Sequence, residues 1–301
     1  MLSVVLPYWS DRPVEEALQV AGVAEELGYP ELWIGEMATF DSFALATAIG
    51  GRTNHITLTI GPLAVNVRTP ATIAMGVASV ATLIGRNVNV ALGTSSTLVV
   101  EEWHGRSRER PAATLEASAQ MVRALLAGER AGFRLRLDRQ PSTITVAAFG
   151  ARAVQVAAEH ADRMVLNLVT PKTAARLCEQ FTSAGGAKTA VWLATAVDPD
   201  DDARLQLTRA LVAYLAAPGY GDVFTEAGFG ELVAFARTRP HPRELLAAIP
   251  TELVEAVGLV GSAAVIEKRI AEYRDAGVDE ICFVPATAGD PAGKRTLRSL
   301  R

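Results

Sequence analysis

The sequence predicts an α/β fold, a (β/α)8 TIM barrel, and two observations carry that prediction. Short β-branched runs alternate with longer runs of helical period, an order typical of βαβ units around a parallel sheet. Eight strand segments can be counted, whereas a doubly wound open sheet more often has about five or six. The length of 301 residues agrees with a single barrel domain over residues 1–301.

The predicted strands are short apolar runs bounded by turn residues. In chain order they cover residues 2–8, 31–36, 56–61, 87–93, 143–148, 163–169, 189–197 and 280–285. The helices predicted between them include residues 13–27, 70–83, 111–127, 151–159, 171–183 and 262–276. Several begin with proline and end before glycine, as the first turn and the left-handed C-terminal cap of a helix favour.

Two connections are too long for simple loops between a strand and its helix, residues 94–110 and about 198–250. Both follow the carboxyl end of a strand, so both are expected at the barrel mouth. The second is interpreted as a helical insertion between strands seven and eight that forms a lid or a dimer surface. A third segment, residues 131–141, alternates like a short exposed strand.

Composition and charge exclude several classes of partner. Half of the residues are hydrophobic and the net charge is -4, which leaves no basic face for a nucleic acid or an anionic membrane. No apolar run reaches the roughly 20 residues of a membrane span, and the N-terminus does not resemble a secretory signal. Cys178 and Cys282 lack metal-ligand spacing. We expect a cytoplasmic, metal-free protein with a small-molecule substrate.

Residues at the carboxyl ends of barrel strands build the active site of such folds. Here those positions are mostly aromatic, small or hydroxylic, and Glu36 and Asp198 are the acids. Such a wall suits a large, flat, partly apolar ligand that supplies its own reactivity. The sequence carries no dinucleotide fingerprint, P-loop, zinc-hydrolase helix or serine elbow.

Three further features bear on the site. Strand four runs into Gly93, Thr94, Ser95 and Ser96, a small and hydroxylic turn that predicts the floor of a cleft. His104 lies in the long loop that follows, and Tyr8 at the first strand end is either a functional group or rim packing. The turn at residues 149–151 opens a helix, so its N–H groups either bind an anion or form an ordinary tight turn.

The chain resembles the bacterial luciferase-like monooxygenase superfamily, in its branch that uses the deazaflavin coenzyme F420. The similarity rests on "GYPELWIGE", "IGPLAVNVRTPATIA", "GRNVNVALGTSS", "AAFGARAVQVAAEHADRMVLNLVTP" and "LVGSAAVIEKRIAEYRDAGVDEICFVP", which follow one another in family order. The resemblance implies hydride transfer between reduced F420 and a small organic acceptor with a C=C or C=N bond, and a homodimer. An FMN-dependent monooxygenase and a non-catalytic cofactor-binding protein of the same fold stay open as alternatives.

The resemblance also implies where the coenzyme binds. The ring is expected near Glu36, the segment after strand three and the Gly93 turn, and the phosphate and tail near residues 149–151 and the end of strand six. The implied cofactor-binding residues are Gly61, Leu63, Ala64, Gly93, Thr94, Ser95, Phe149, Gly150, Ala151, Asn167, Leu168 and Val169. The family's non-proline cis peptide would fall near Leu63 and Ala64.

The chain departs from the family pattern at two positions that matter for catalysis. Dehydrogenases of this branch have Asp-His after strand two and an acid after strand four, where this chain has Glu36-Met37 and Ser95-Ser96. Oxidation of an alcohol needs a base, so reduction is the expected direction. Glu36 is the expected polar contact, and Tyr8, Ser96 and His104 are the candidate proton donors.

Overall fold

A computed structural model describes residues 1–36, 38–130 and 132–301. Eight parallel strands hydrogen-bond in the order β6-β5-β4-β3-β2-β1-β9-β7, and pairing of β6 with β7 closes the ring. The predicted (β/α)8 barrel is therefore confirmed. The strands are β1 Leu2–Val5, β2 Glu31–Ile34, β3 Thr57–Ala64, β4 Val88–Gly93, β5 Ile144–Ala147, β6 Arg163–Asn167, β7 Thr189–Val197, β8 Leu259–Gly261 and β9 Glu280–Pro285.

All eight predicted strands are present, and a ninth short one was not predicted. That strand, β8, pairs only with the last residues of β7, Thr195 to Val197, and so extends the barrel rim rather than the ring. The strand predicted over residues 131–141 is wrong: its described residues, 132–141, form no strand element, and Ala131 lies outside the described residues. Side chains there are mostly exposed, so the alternating pattern alone did not produce a strand.

The helices surround the barrel as predicted, with two additions outside the insertion, one after β2 and one after β9. They are α1 Glu16–Glu26, α2 Ser42–Gly50, α3 Pro70–Ile84, α4 Pro111–Leu126, α5 Ala151–His160, α6 Pro171–Ser183, α7 Asp201–Leu211, α8 Tyr220–Phe224, α9 Gly230–Arg237, α10 Pro242–Ala248, α11 Thr251–Val257, α12 Ala263–Asp275 and α13 Lys294–Ser299. Proline occupies the first turn of α3, α4 and α6, where its missing N–H costs no hydrogen bond.

The long connection after β7 is helical, as expected. It comprises α7 to α11 and reaches Val257, seven residues beyond the predicted end at 250. Within the part of the chain that the structure describes, every helix is too short or too polar to cross a membrane. The connection after β4 contains a π-helical turn, Leu98–Trp103.

The barrel interior is closed at its amino-terminal end by three charged side chains that we call the basal ion cluster, Glu31, Arg163 and Glu280. The Arg163 guanidinium lies 2.7 Å from Glu31 Oε1 and also donates to a Glu280 carboxylate oxygen. All three residues are buried. Because this end is filled by paired charges, a ligand can enter the barrel only at the carboxyl end of the strands.

Candidate active site

The floor of the barrel mouth is built mainly from residues with little or no side chain. Gly35 follows β2, and Gly93 and Ala147 end β4 and β5. A Cβ placed on Gly35 would lie 3.4 Å from the Tyr8 ring, so Tyr8 packs directly over this glycine. A Cβ placed on Gly93 would lie 3.3 Å from Pro62 and 3.5 Å from Ala147, so even alanine there would narrow the floor.

Trp192 of β7 fills the opposite side of the floor. Its six-membered ring reaches across the barrel until Cη2 lies 3.7 Å from the place where Gly35 would carry a Cβ. The indole packs edge-on against Trp33, with ring centroids 5.6 Å apart. Trp192 was missed by sequence reasoning because it lies in the middle of an apolar strand, where an aromatic residue is expected to be core.

The bulge after the middle of β3 is present, and it corrects the prediction about the cis peptide. The register of β3 on β4 shifts between Ile60 and Leu63, and the cis bond is Gly61–Pro62. The expected non-proline cis bond near Leu63 and Ala64 is therefore wrong. Leu63 is fully buried in the outer core, so only its backbone is available to the mouth.

Glu36 is partly exposed at the end of β2 and is held by Arg68. The two form a fork-shaped pair in which Arg68 Nε donates to Oε2 at 2.8 Å and an Nη donates to Oε1. The same guanidinium pairs with Asp41 and lies 5.1 Å from the Phe43 ring centre. Hydrogen bonding to Glu36 is the main cause that raises the pKa of Arg68. Glu36 is thus an ion-paired carboxylate rather than a free base; Met37 lies outside the described residues.

Tyr8 is oriented inward at the end of β1. Its hydroxyl donates to the Gly35 carbonyl oxygen at 2.7 Å. Burial, with a smaller contribution from the Glu36 carboxylate, raises the pKa of Tyr8 well above its usual value. The phenol proton is therefore already committed to a backbone acceptor, which makes Tyr8 a poor proton donor.

The turn after β4 is fixed by Arg108 from the loop that follows it. Arg108 Nε donates to the Ser95 carbonyl oxygen at 2.9 Å, and Arg108 Nη2 lies 3.4 Å from Thr94 Oγ1. Ser96 Oγ accepts from the Val99 N–H at 3.3 Å, which leaves the hydroxyl proton of Ser96 free to be donated elsewhere. His104 is exposed at the end of the π-helical turn.

The predicted anion site at the start of α5 lies at an exposed turn. Gly150 and Ala151 are exposed, and no side chain among the described residues caps this helix. By contrast, Thr170 caps α6 by accepting from the Thr173 N–H at 3.2 Å. The free N–H groups and the helix dipole make the start of α5 suitable for an anion.

The insertion covers the neighbouring part of the mouth. Tyr220 of α8 packs on Phe149 with ring centroids 4.7 Å apart, and its hydroxyl accepts from Asn167 Nδ2 at 3.2 Å. Of the predicted contacts at the end of β6, Asn167 is partly exposed, whereas the side chains of Leu168 and Val169 are buried in the outer core. Tyr220 was missed because its position depends on how the insertion after β7, which reaches Val257, folds against the barrel.

Two cavities lie near the strand ends or the helices that follow them. A groove of about 420 Å³ lies outside the barrel between α2 and α3, where Phe43, Met75 and Gly76 line it. A narrow cleft of about 20 Å³ lies beside β1, bordered by Tyr8, Trp9 and Thr39. The narrow cleft therefore borders residues that follow strand ends, Tyr8 and Trp9 after β1 and Thr39 after β2.

The fold and the mouth define a barrel enzyme, and comparison with known proteins gives its family. Residues 5–280 match the luciferase-like monooxygenase family, and the chain belongs to it. A Mycobacterium tuberculosis protein provisionally named a coenzyme F420-dependent oxidoreductase is 25% identical, with 99% of this chain and 98% of the relative covered. The 5,10-methylenetetrahydromethanopterin reductase of Methanolobus tindarius is 23% identical over 96% of this chain and 94% of its own.

Solved structures agree in fold. An F420-dependent secondary alcohol dehydrogenase, in complex with an F420–acetone adduct, superposes with a TM-score of 0.77 at 16% identity, covering 100% of this chain and 99% of its own. The FMN-bound oxygenating constituent of 3,6-diketocamphane monooxygenase from Pseudomonas putida superposes with a TM-score of 0.69 at 16% identity, covering 99% and 96%. The predicted family and oxidoreductase class are thereby confirmed.

Proposed function

We propose that this protein is an F420-dependent oxidoreductase that reduces a C=C or C=N bond of a small organic acceptor. The observation that carries the proposal is the barrel mouth itself, with its floor of Gly35, Gly93 and Ala147 beside the Trp192 indole. Small residues at the strand ends and the apolar edge of an indole are the kind of lining against which a planar ring system packs. The names of the relatives support F420 as the ring that binds there.

The coenzyme in its reduced form supplies a hydride. Small residues of β2, β4 and β5 would accept the ring, and the N–H groups at the start of α5 would bind its phosphate, with Phe149, Gly150 and Ala151 forming that turn. The dipole contributes about 0.3–1 kcal/mol to such an anion. Arg152 is exposed in the first turn of the same helix and adds positive charge.

The state of Glu36 favours reduction over alcohol oxidation. Removing a hydroxyl proton requires a free base, and both oxygens of Glu36 accept hydrogen bonds from Arg68. Reduction requires instead one proton for the atom next to the carbon that receives hydride. Ser96 and His104 remain the candidates for that proton, since the Tyr8 hydroxyl donates to Gly35.

Parallel titrations of the purified apoprotein with F420 and with FMN test the cofactor. We expect F420 to bind at micromolar concentration and FMN to bind much more weakly. Selective FMN binding would overturn the proposal in favour of a flavin monooxygenase. Binding of F420 without hydride transfer to any enone or imine in a panel would instead leave a non-catalytic cofactor-binding protein.

We further propose that the protein forms a homodimer through α2 and α3. Met75 and Leu83 of α3 are 48% and 71% exposed, and a groove of about 420 Å³ runs between the two helices. Helices that are apolar on several faces are usually covered by a partner. Sedimentation should give twice the chain mass for the wild type and the monomer mass for Leu83→Glu. A monomeric wild type at micromolar concentration would exclude the dimer.

A further inference from the structure

Two tryptophans, Trp33 and Trp192, lie in the barrel interior, and within the described chain only one of them has a hydrogen-bond partner for its indole N–H. Trp33 Nε1 donates to Glu280 Oε1 of the basal ion cluster at 3.1 Å. Trp192 Nε1 is buried and has no hydrogen-bond partner among the residues that the structure describes. Since buried donors in folded proteins are nearly always paired, the unpaired N–H of Trp192 calls for a partner from outside the chain.

The neighbours of Trp192 explain why the chain itself offers none. In the ladder it lies between Asn167 of β6 and Cys282 of β9, and the interior cluster around it is apolar, with Val165, Ala190 and Val284. The amide of Asn167 is turned to Tyr220 of the insertion. Backbone carbonyls of the strands are used in the barrel ladder.

The position of the indole makes it part of the floor rather than of the packed core. Strands β1 and β9 separate β7 from β2, yet the ring of Trp192 reaches Gly35 beyond β2, so it crosses the barrel interior. Trp192 is partly exposed, in contrast to Trp33, which is completely buried. The ring carbons Cη2 and Cζ3 of Trp192 border Gly35, and its Nε1 is covered in the structure. A flat ligand on the floor of the mouth would therefore rest against Trp192.

We propose that the Trp192 N–H positions the bound coenzyme by donating a hydrogen bond to a carbonyl oxygen of its ring system. This rests on the proposed function, because the ring is the ligand that the floor is inferred to hold. Trp192 is a positioning residue that fixes how the ring lies in the mouth. Trp33, with its N–H paired to Glu280, has a structural role only.

The test compares coenzyme affinity with apoprotein stability in matched variants. Trp192→Phe removes the donor and should weaken F420 binding roughly 5- to 20-fold, as expected for a lost hydrogen bond to a buried acceptor. Its apoprotein should not be destabilised by loss of the N–H, which has no partner in the chain. Trp33→Phe should show the reverse pattern, with a lower urea midpoint and unchanged affinity.

A second substitution separates the hydrogen bond from the shape of the ring. Placing 3-benzothienylalanine at position 192 keeps the bicyclic ring and replaces its N–H by sulfur, so it should weaken F420 binding as Trp192→Phe does. Unchanged affinity in this variant overturns the inference, whatever the phenylalanine variant does. If the wild type does not bind F420, the proposed function itself is refuted. FMN is titrated in parallel, and binding of FMN in place of F420 would identify that outcome.

Discussion

Removal of the cation from the basal ion cluster should be one of the most damaging single substitutions in this protein. Arg163 lies 2.7 Å and 2.9 Å from the two oxygens of Glu31, pairs with Glu280, and donates to Thr145 Oγ1 at 3.1 Å. Its guanidinium also lies 4.2 Å from the Trp33 ring centre. Arg163→Met leaves two buried carboxylates without a counter-charge.

The size of the expected stability loss follows from the burial of Glu31 and Glu280, the two carboxylate partners of Arg163. Breaking a buried ion pair on one side typically costs about 3–5 kcal/mol, because the remaining charge has lost both water and its partner. Glu31 and Glu280 are 5% and 2% exposed, so solvent can offset little of this. We expect Arg163→Met to lower the free energy of unfolding by about 3–5 kcal/mol.

Urea unfolding followed by circular dichroism measures the effect. Arg176→Met is the control, since its pair with Glu226 spans 3.1 Å at side-chain exposures of 45% and 32% and should contribute no more than about 1 kcal/mol. The triple variant Arg163→Met, Glu31→Gln, Glu280→Gln should recover much of the loss, because no buried charge remains. The reasoning would be refuted if Arg163→Met were as stable as Arg176→Met, or if the triple variant were no more stable than Arg163→Met.

Two further predictions concern buried groups. Burial raises the pKa of Cys178 to about 11, and that of Cys282 also rises. Only about one part in a thousand of Cys178 is then thiolate at pH 8, so a thiol reagent should label neither cysteine before urea unfolds the protein; fast labelling of native protein would contradict this. Gly61→Ala should cost about 3 kcal/mol or more, because its Cβ would lie 2.2 Å from the Ala91 carbonyl oxygen at a φ of 116°. Gly85→Ala is the control, because Gly85 has a φ of 70° but no atom near its Cβ position. It should lower the free energy of unfolding by only about 1–2 kcal/mol in the same urea assay. Equal losses in the two variants would argue against a steric clash between the Cβ introduced at position 61 and the Ala91 carbonyl.

The strands were predictable where an apolar run stops sharply. The predicted bounds 189–197 and 280–285 agree with β7 and β9 at both ends. Lys188 and Asp198 flank the first run, and Asp279 and the terminal Pro285 limit the second. The first strand was predicted too long, over residues 2–8, whereas β1 ends at Val5. Leu6 is buried although it lies beyond the strand, so hydrophobic pattern alone could not mark the end of the ladder.

The candidate site, like the strands, could be predicted from the sequence only in part. Glu36 could be located because it follows a strand, and strand ends meet at the mouth of any barrel. Its pairing with Arg68 could not, because 32 residues separate them and the contact depends on how the end of β3 turns. Similarly, the hydrogen bond from the Tyr8 hydroxyl to the Gly35 carbonyl oxygen could not be predicted, because it joins the chain segments after two different strands.

The sequence by itself determined the barrel, since periodicity, strand count and turn residues are local properties that survive without coordinates. The order of its sequence blocks indicated the family by resemblance, and strand ends indicated where an active site is expected. Only the tertiary structure decided which polar groups are already paired and which are left for a ligand. A carboxylate such as Glu36 and an indole such as Trp192 acquire their roles from neighbours distant in the chain. Hydrogen-bond partners are set by closure of the barrel, which brings those neighbours within a few ångströms.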